Sequence, residues 1–249
     1  MEVLGIDIGG SGIKGNLVDV HTGRSPGERH KVLTPQPATP DAVADVVAGV
    51  VAHFGYDGPV GCTFPAIVRR GVTLSAANVD PAWVGTDAAA LFEARAGMPF
   101  TVVNDADAAA IGEMEFGTGR GRRGVVLVLT FGTGIGSGLF VDGRLVPNTE
   151  LGHIELEGHN PVERWCAARV RKDENLSWME WGERVRRYLV HLDRLFSPDL
   201  FIIGGGVSRR WDRFAEAVRT GVETVPALLR NEAGIVGAAM AAAARGSSS

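Results

Sequence analysis

The sequence predicts an α/β protein of two similar lobes around a ligand cleft. Three observations point to it. β-Rich hairpins and βα units occur twice, one set starting at Val3 and the other at Val125. Each set has a Gly-rich turn after its first strand. Glycine makes up 34 of 249 residues and has no repeat period; that is about 14%, against a usual value near 7%. Such an excess suits tight turns and close approach of backbone to a ligand.

Taken in order, Val3 to Ile8 reads as a strand that closes on Gly9-Gly10, and Ile13 to Val20 returns as its hairpin partner. A third strand is expected near His30 to Leu33, followed by a stiff extended connector, Thr34-Pro35-Gln36-Pro37-Ala38-Thr39-Pro40. Thr39 is then an N-cap with Pro40 at the first helical position, and Val43, Val46, Val47, Val50, Val51 and Phe54 follow at helical spacing. Gly58-Pro59 ends that helix, and Val60 to Phe64 reads as a buried strand. A helix over 86–96, a strand over 100–103 and a helix over 106–116 follow, then a Gly/Arg loop, 117–124. Val125 to Phe131 is the most apolar strand, with Ser137 to Val141 as its hairpin partner. The rest reads as a long helix over 176–195, a strand over 200–203 ending in Gly204-Gly205-Gly206, helices over 210–220 and 234–245, and a frayed tail over 245–249. The expected division is a first lobe over 1–104, a second over 105–233, and the last helix packing back on the first lobe.

Composition removes several classes. With 45% apolar and 22% charged residues the chain lies in the globular range, not the disordered, collagenous or coiled-coil range. A net charge of −4 argues against nucleic acid as a partner. Cys62 and Cys166 stand alone, which argues against a disulfide framework or a Cys-based metal site. The first residues have no basic segment followed by an apolar one, and no apolar run is long enough to span a bilayer. The expectation is a soluble cytoplasmic protein with no membrane partner.

Five motifs carry the chemistry. In Asp7-Ile8-Gly9-Gly10-Ser11-Gly12-Ile13-Lys14, missing Cβ atoms let backbone N–H groups converge on phosphate oxygens. Asp7 is placed to hold Mg²⁺ through water, and Ser11 or Lys14 to meet a phosphate; the same stretch also reads as an ordinary hairpin turn. Thr130-Phe131-Gly132-Thr133-Gly134-Ile135-Gly136-Ser137-Gly138 repeats the logic, and again a plain hairpin turn is the alternative. Asn104-Asp105-Ala106-Asp107 closes a strand and opens a helix. There a carboxylate can act as general base, or the Asn and Asp side chains can simply cap the helix. Glu150-Leu151-Gly152-His153-Ile154-Glu155 sets a carboxylate and an imidazole three residues apart, which suits a polyol better than a metal; a surface turn is the alternative. Gly204-Gly205-Gly206-Val207-Ser208 after a strand suits a nucleotide, or a helix start capped by Ser208. The basic residues, 22 Arg and 3 Lys, include the clusters Arg120/Arg122/Arg123, Arg169/Arg171/Lys172 and Arg184/Arg186/Arg187. The first two can contact phosphate. The third reads as a solvated face, with Arg184 and Arg187 paired along the helix to Glu180 and Glu183.

With these five motifs in this order, the chain resembles the ROK family of sugar kinases, and within it the polyphosphate-using glucokinases. The resemblance runs from Val3 to about Ala244 and includes the stretches 34–40, 177–181 and 198–208. It implies a two-lobed actin/hexokinase-like (ribonuclease H-like) fold with the active site between the lobes. It further implies transfer of a terminal phosphoryl group from polyphosphate or ATP to the 6-hydroxyl of glucose. Asp105 is then the catalytic base, and Asn104, Asp105, Glu150 and His153 bind glucose. Asp7, Gly9, Gly10, Ser11, Gly12, Lys14, Thr130, Gly132, Thr133, Gly134, Gly205 and Gly206 hold donor phosphates or nucleotide. Arg120, Arg122, Arg123, Arg169, Arg171 and Lys172 are candidates for a polyphosphate track. Many members carry a Cys-rich zinc motif before a further sugar-binding Glu. Only Cys166 lies in that region, so no structural zinc is expected, and Glu155 is the nearest candidate for the Glu. Mg²⁺ as cofactor and a homodimer are also implied. An ATP-only hexokinase of glucose, mannose or an N-acetylated sugar, and a non-catalytic sugar sensor, are the competing readings.

Overall fold

A computed structural model describes residues 1–76 and 79–246. The chain divides into two compact units, one made of residues 1–112 with the segment from Glu232 onward, the other of residues 113–231.

The first unit opens with the hairpin β1 (Glu2–Gly9) and β2 (Gly12–Asp19), followed by β3 (His30–Val32). The helix α1 (Pro40–Phe54) starts where expected, because its signals are local. Thr39 Oγ1 accepts the Ala42 N–H at 3.4 Å, Pro40 sits in the first turn, and Gly55 ends the helix in the left-handed region. Its buried face, Val43, Val47, Val50 and Val51, packs toward the sheet; a Cβ on Gly15 of β2 would press on Val50. Next come β4 (Val60–Phe64), the short hairpin β5 (Val68–Arg69) and β6 (Val72–Thr73), α2 (Ala88–Ala96) capped by Asp87, β7 (Phe100–Asn104) and α3 (Asp105–Phe116). The main sheet has order β3-β2-β1-β4-β7, with β1, β4 and β7 parallel. All three parallel strands therefore end at one edge, which carries Asp7, Thr63 and Asn104.

The second unit repeats the plan. It contains β8 (Val125–Phe131), β9 (Ile135–Val141), β10 (Arg144–Val146), the short helices α4 (Glu163–Cys166) and α5 (Ala168–Asp173), α6 (Trp178–Phe196), β11 (Leu200–Gly205) and β12 (Glu223–Pro226). Its sheet order is β10-β9-β8-β11-β12, with β8, β11 and β12 parallel. Ser177 and Glu180 form a capping box at the start of α6, whose buried stripe of Trp181, Val185, Tyr188, Leu189 and Leu192 fills the core with Phe131, Phe201 and Phe214.

Three expectations change. The helix expected over 210–220 does not form; Gly206–Arg213 is a run of 3₁₀ turns with Arg210 at φ −121°, and Phe214 leaves it at φ −138°. The cause is tertiary: Phe214 is fully buried, stacked on Trp178 at 5.7 Å and edge-on to Trp181 at 5.0 Å. Ser208 lies inside the turn and donates its hydroxyl to the Gly205 carbonyl at 3.0 Å, so it does not cap a helix start. The arginines of α6 pair mostly off the helix: Arg184 with Glu174 at 2.7 Å, Arg187 with Glu157, and only Arg186 with Glu183 three residues back.

The chain ends in α7 (Ala233–Gly246), which packs on the first unit. Gly5 and Gly61, neighbours in register on β1 and β4, sit against its backbone; a Cβ on either would collide with the carbonyl of Ile235 or Ala238. Gly237 makes the same close approach to Ala108 of α3. This packing draws α3 into the first unit as far as Gly112, beyond the boundary expected at 104/105. Of the expected tail, Arg245 and Gly246 complete α7, and residues 247–249 lie outside the described residues.

Candidate active site

In the first unit, the turn Gly9-Gly10-Ser11-Gly12 joins two strands in register, and that register sets Asp7 opposite Lys14. Lys14 Nζ lies 3.1 Å from Asp7 Oδ2, and Thr63 Oγ1 donates to Asp7 Oδ1 at 3.0 Å. Thr34 Oγ1 donates to the Gly9 carbonyl at 2.5 Å and fixes the turn from the side of the Pro-rich connector.

At the β7–α3 junction one residue caps and its neighbour faces solvent. Asn104 Oδ1 accepts from Ala106 N at 2.8 Å and Asp107 N at 3.1 Å, while its Nδ2 donates to the Ala66 carbonyl at 3.0 Å. Asn104 is thus the N-cap, and one amide hydrogen is left over for a ligand. Asp107 is 2% exposed, whereas Asp105 is exposed, with Oδ1 accepting the Ala106 N–H at 2.9 Å. Of the two carboxylates, only Asp105 reaches the surface.

In the second unit, Phe131 pairs with Ile135, which leaves Gly132-Thr133-Gly134 as the turn; Gly132 N donates to the Gly134 carbonyl at 2.9 Å. Glu163, the first residue of α4, reaches this turn: its Oε2 accepts the Ile135 N–H at 2.9 Å, and a Cβ on Gly134 would strike the same carboxylate. Its other oxygen lies 3.8 Å from His153 Nε2, while His153 Nδ1 is 3.1 Å from Glu150 Oε2. One imidazole is therefore flanked by two carboxylates. Gly152 lets this segment lie on β9, since a Cβ would collide with the Ile135 carbonyl. Ser137 Oγ anchors it further, donating to Thr149 O at 2.5 Å and accepting Leu151 N–H at 3.1 Å. Burial raises the Glu150 pKa above the usual carboxylate value; the Glu163 charge adds to the rise and His153 opposes it.

Glu163 was not singled out in the sequence. Among the described residues, no hydrogen bond or ion pair joins Glu155 to this group, whereas Glu163 joins it beside His153. Spacing from His153 does not distinguish the two. Only the fold of 154–163 brings the later one back to β9.

The third glycine motif lies beside the second. β11 runs parallel to β8, with Gly204 opposite Thr130 and Gly205 opposite Phe131. Gly205 has φ +80°, and a Cβ there would strike the Phe131 backbone. Gly10, Gly132 and Gly206 behave differently. A Cβ on any of them meets nothing within 4 Å, and none has positive φ. The protein's own packing does not call for glycine at these three positions, one in each motif, and the same holds at Gly27, Gly49 and Gly221; at the three motif positions the bare backbone is open to approach by a ligand.

The basic clusters are partly consumed. Arg122 holds Glu223 through both terminal nitrogens at 2.9 and 2.6 Å, Arg123 donates to the Asp142 carbonyl, and Arg169 pairs with Asp173 at 3.7 Å. Arg171 donates to the Leu176 carbonyl and lies over Trp178. Arg120 and Lys172 are exposed.

Among the described residues, no cluster of three or more His, Cys, Asp or Glu side chains is arranged to hold a metal. Asp7 is a lone carboxylate whose oxygens already receive Thr63 and Lys14. That donor set fits a hydrated Mg²⁺ completed by phosphate oxygens, not an ion caged by protein.

The ROK family model matches residues 3–169, which include the first two glycine turns, Asn104-Asp105 and the Glu150–His153–Glu163 group. The chain is 48% identical to the polyphosphate glucokinase of Mycobacterium tuberculosis, covering 96% of this chain and 91% of that one. Its structure superposes on the inorganic polyphosphate/ATP-glucomannokinase of Arthrobacter sp. strain KM with a TM-score of 0.91 and 51% identity, over 98% and 99% of the two chains. A ROK family glucokinase of Streptomyces griseus, solved with glucose and AMPPNP, gives a TM-score of 0.83 at 28% identity over 98% and 100%. With its motifs matched in order and its fold matched over nearly its whole length, this chain belongs to the ROK family and has the actin/hexokinase-like α/β fold of that family's sugar kinases.

Proposed function

We propose that this protein transfers the terminal phosphoryl group of inorganic polyphosphate, and also of ATP, to the 6-hydroxyl of glucose, giving glucose 6-phosphate. The observation that carries this reading is the near-full-length likeness to the mycobacterial polyphosphate glucokinase, well above the 28% shared with the ROK glucokinase solved with AMPPNP.

The site residues supply the roles. Asp105 accepts the proton of the 6-hydroxyl as its oxygen attacks the terminal phosphorus. The bond from that phosphorus to the bridging oxygen breaks, and the bridging oxygen keeps the electron pair on the shortened chain. Asn104, through its remaining amide hydrogen, and Glu150, His153 and Glu163 hold the sugar hydroxyls. Backbone N–H groups of the turns at 9–12, 132–134 and 205–206, with Ser11, Lys14, Thr130 and Thr133, hold donor phosphates. Asp7 is the residue that would hold Mg²⁺ here, and the ion would supply charge neutralisation on those phosphates. Catalysis of this kind rests on positioning and charge neutralisation more than on covalent chemistry. The same reading makes the enzyme a cytoplasmic homodimer.

The test is glucose phosphorylation with polyphosphate and ATP run side by side, with mannose as a second acceptor. Polyphosphate is expected to support turnover at least as well as ATP. Turnover with ATP alone would make the chain an ATP-only glucokinase. Glucose binding with no transfer from either donor would make it a sensor.

A further inference from the structure

The cations of the second unit divide into two groups. Among the described residues, six are matched by a carboxylate: Arg122 with Glu223, Arg169 with Asp173, Arg184 with Glu174, Arg186 with Glu183, Arg187 with Glu157 and Arg219 with Glu216. Arg209, Arg210 and Arg213 are not. All three are exposed, and among the described residues none forms an ion pair. Asp212, the only acidic residue in Gly206–Arg213, also forms none, and three Arg against one Asp leave the segment at +2. Glu216, the next acid along the chain, is held by Arg219 at 2.8 Å.

Their placement is specific. The 3₁₀ segment Gly206–Arg213 leaves directly from the Gly204-Gly205-Gly206 turn. Register sets that turn against Thr130-Phe131, where the second glycine turn begins. Val207 and Ser208 are buried, and Trp211 stands edge-on to the buried Phe214 at 5.2 Å, so the segment is anchored from inside while its guanidinium groups stay in water. Three guanidinium groups without carboxylates on one short segment concentrate positive potential there, which draws a polyanion.

We infer that Arg209, Arg210 and Arg213 bind the outlying phosphates of the polymeric donor, so that the track continues over the 3₁₀ segment and not over the Arg120–Arg123 loop, where Arg122 is already held by Glu223. This rests on the donor reading above. An inorganic polyphosphate offers no base or sugar to recognise, so its extra residues can be gripped only through charge and hydrogen bonds, which guanidinium supplies in bidentate form. ATP has three phosphates, and the glycine turns alone can hold them. A cationic element beyond the turns therefore favours long polymer over nucleotide.

The test compares wild type with Arg209→Gln/Arg210→Gln/Arg213→Gln, and with Arg186→Gln/Arg187→Gln/Arg219→Gln, which removes the same charge from paired sites. In the first variant KM for long-chain polyphosphate is expected to rise about tenfold, as the loss of three exposed charge contacts predicts. Glucose KM and ATP KM are expected to stay within about twofold, and the salt dependence of polyphosphate KM to flatten. In the paired-site variant polyphosphate KM is expected to stay within about twofold. An unchanged polyphosphate KM in the first variant, an equal rise for ATP, or an equal rise in the paired-site variant overturns the assignment. Should the triple variant fail to fold by thermal melt, Arg210→Gln/Arg213→Gln is read by the same criteria. A wild-type enzyme that turns over ATP but not polyphosphate refutes the donor reading itself, and this inference with it.

Discussion

Glu113 is 2% exposed, yet its carboxylate makes no ion pair among the described residues; it is satisfied by backbone. Oε2 accepts from Thr118 N at 3.2 Å and Leu228 N at 3.0 Å, and Oε1 from Leu229 N at 2.5 Å. Thr118 Oγ1 adds a bond to the Pro226 carbonyl at 2.8 Å. One side chain on α3 thereby holds the segment that leads from β12 toward α7. In Glu113→Gln the amide oxygen can keep the Thr118 and Leu228 bonds. The amide nitrogen then faces the Leu229 N–H, donor against donor. One charge-assisted bond is lost and a buried donor is left unsatisfied; each loss is worth about 1.5–3 kcal/mol and they overlap, which gives about 2–4 kcal/mol. Urea unfolding followed by tryptophan fluorescence reads the right unit, because Trp165, Trp178, Trp181 and Trp211 lie in the second unit and only Trp83 in the first. With a slope of about 2 kcal/mol per M, the midpoint should fall by about 1–2 M. Amide exchange at Leu228 and Leu229 should accelerate in parallel. A midpoint shift below about 0.3 M, with both amides as protected as in wild type, would refute this account of the carboxylate.

Three further predictions concern the sugar side. Asp105→Asn should fold with an unchanged melting temperature and lose about 10²–10⁴ in kcat, the usual worth of a general base; near wild-type kcat removes Asp105 from that role. Glu150→Gln should weaken glucose binding yet leave the protein at least as stable at pH 7.5. Burial holds the folded-state pKa of Glu150 above its unfolded value, so its favourable contribution is complete at low pH and fades as pH rises through the folded pKa. The mutant's advantage should therefore shrink as melts are taken down toward about pH 4.5; a mutant less stable than wild type at pH 7.5 contradicts that sign. Glu163→Gln should raise glucose KM as strongly as Glu150→Gln does, with Glu155→Gln near wild type.

How far the site was legible follows from the range of each signal. Thr39-Pro40, the Ser177/Glu180 box and the glycine hairpins are encoded within a few residues, and the structure places them where the sequence indicates. Asn104-Asp105 was legible as a strand-to-helix junction. Which of Asp105 and Asp107 faces solvent depends on burial, and the sequence offered only a preference. The pattern Arg-Trp-Asp-Arg-Phe-Ala-Glu-Ala reads as a helix over 210–217, but packing of Phe214 among Trp178, Trp181 and Trp211 overrides that propensity.

By itself, the sequence determined the α/β class, the doubled plan and the residue types able to meet phosphate and sugar. These depend on hydrophobic period, caps and glycine placement, all local quantities. Only the tertiary structure decided which carboxylates and cations act together. Glu163 joins His153 because 154–163 folds back onto β9. Arg122 is neutralised by a Glu more than a hundred positions away in sequence order, while Arg209, Arg210 and Arg213 are left without one. Pairing of charges is a property of distance in space, and chain separation carries almost no information about it.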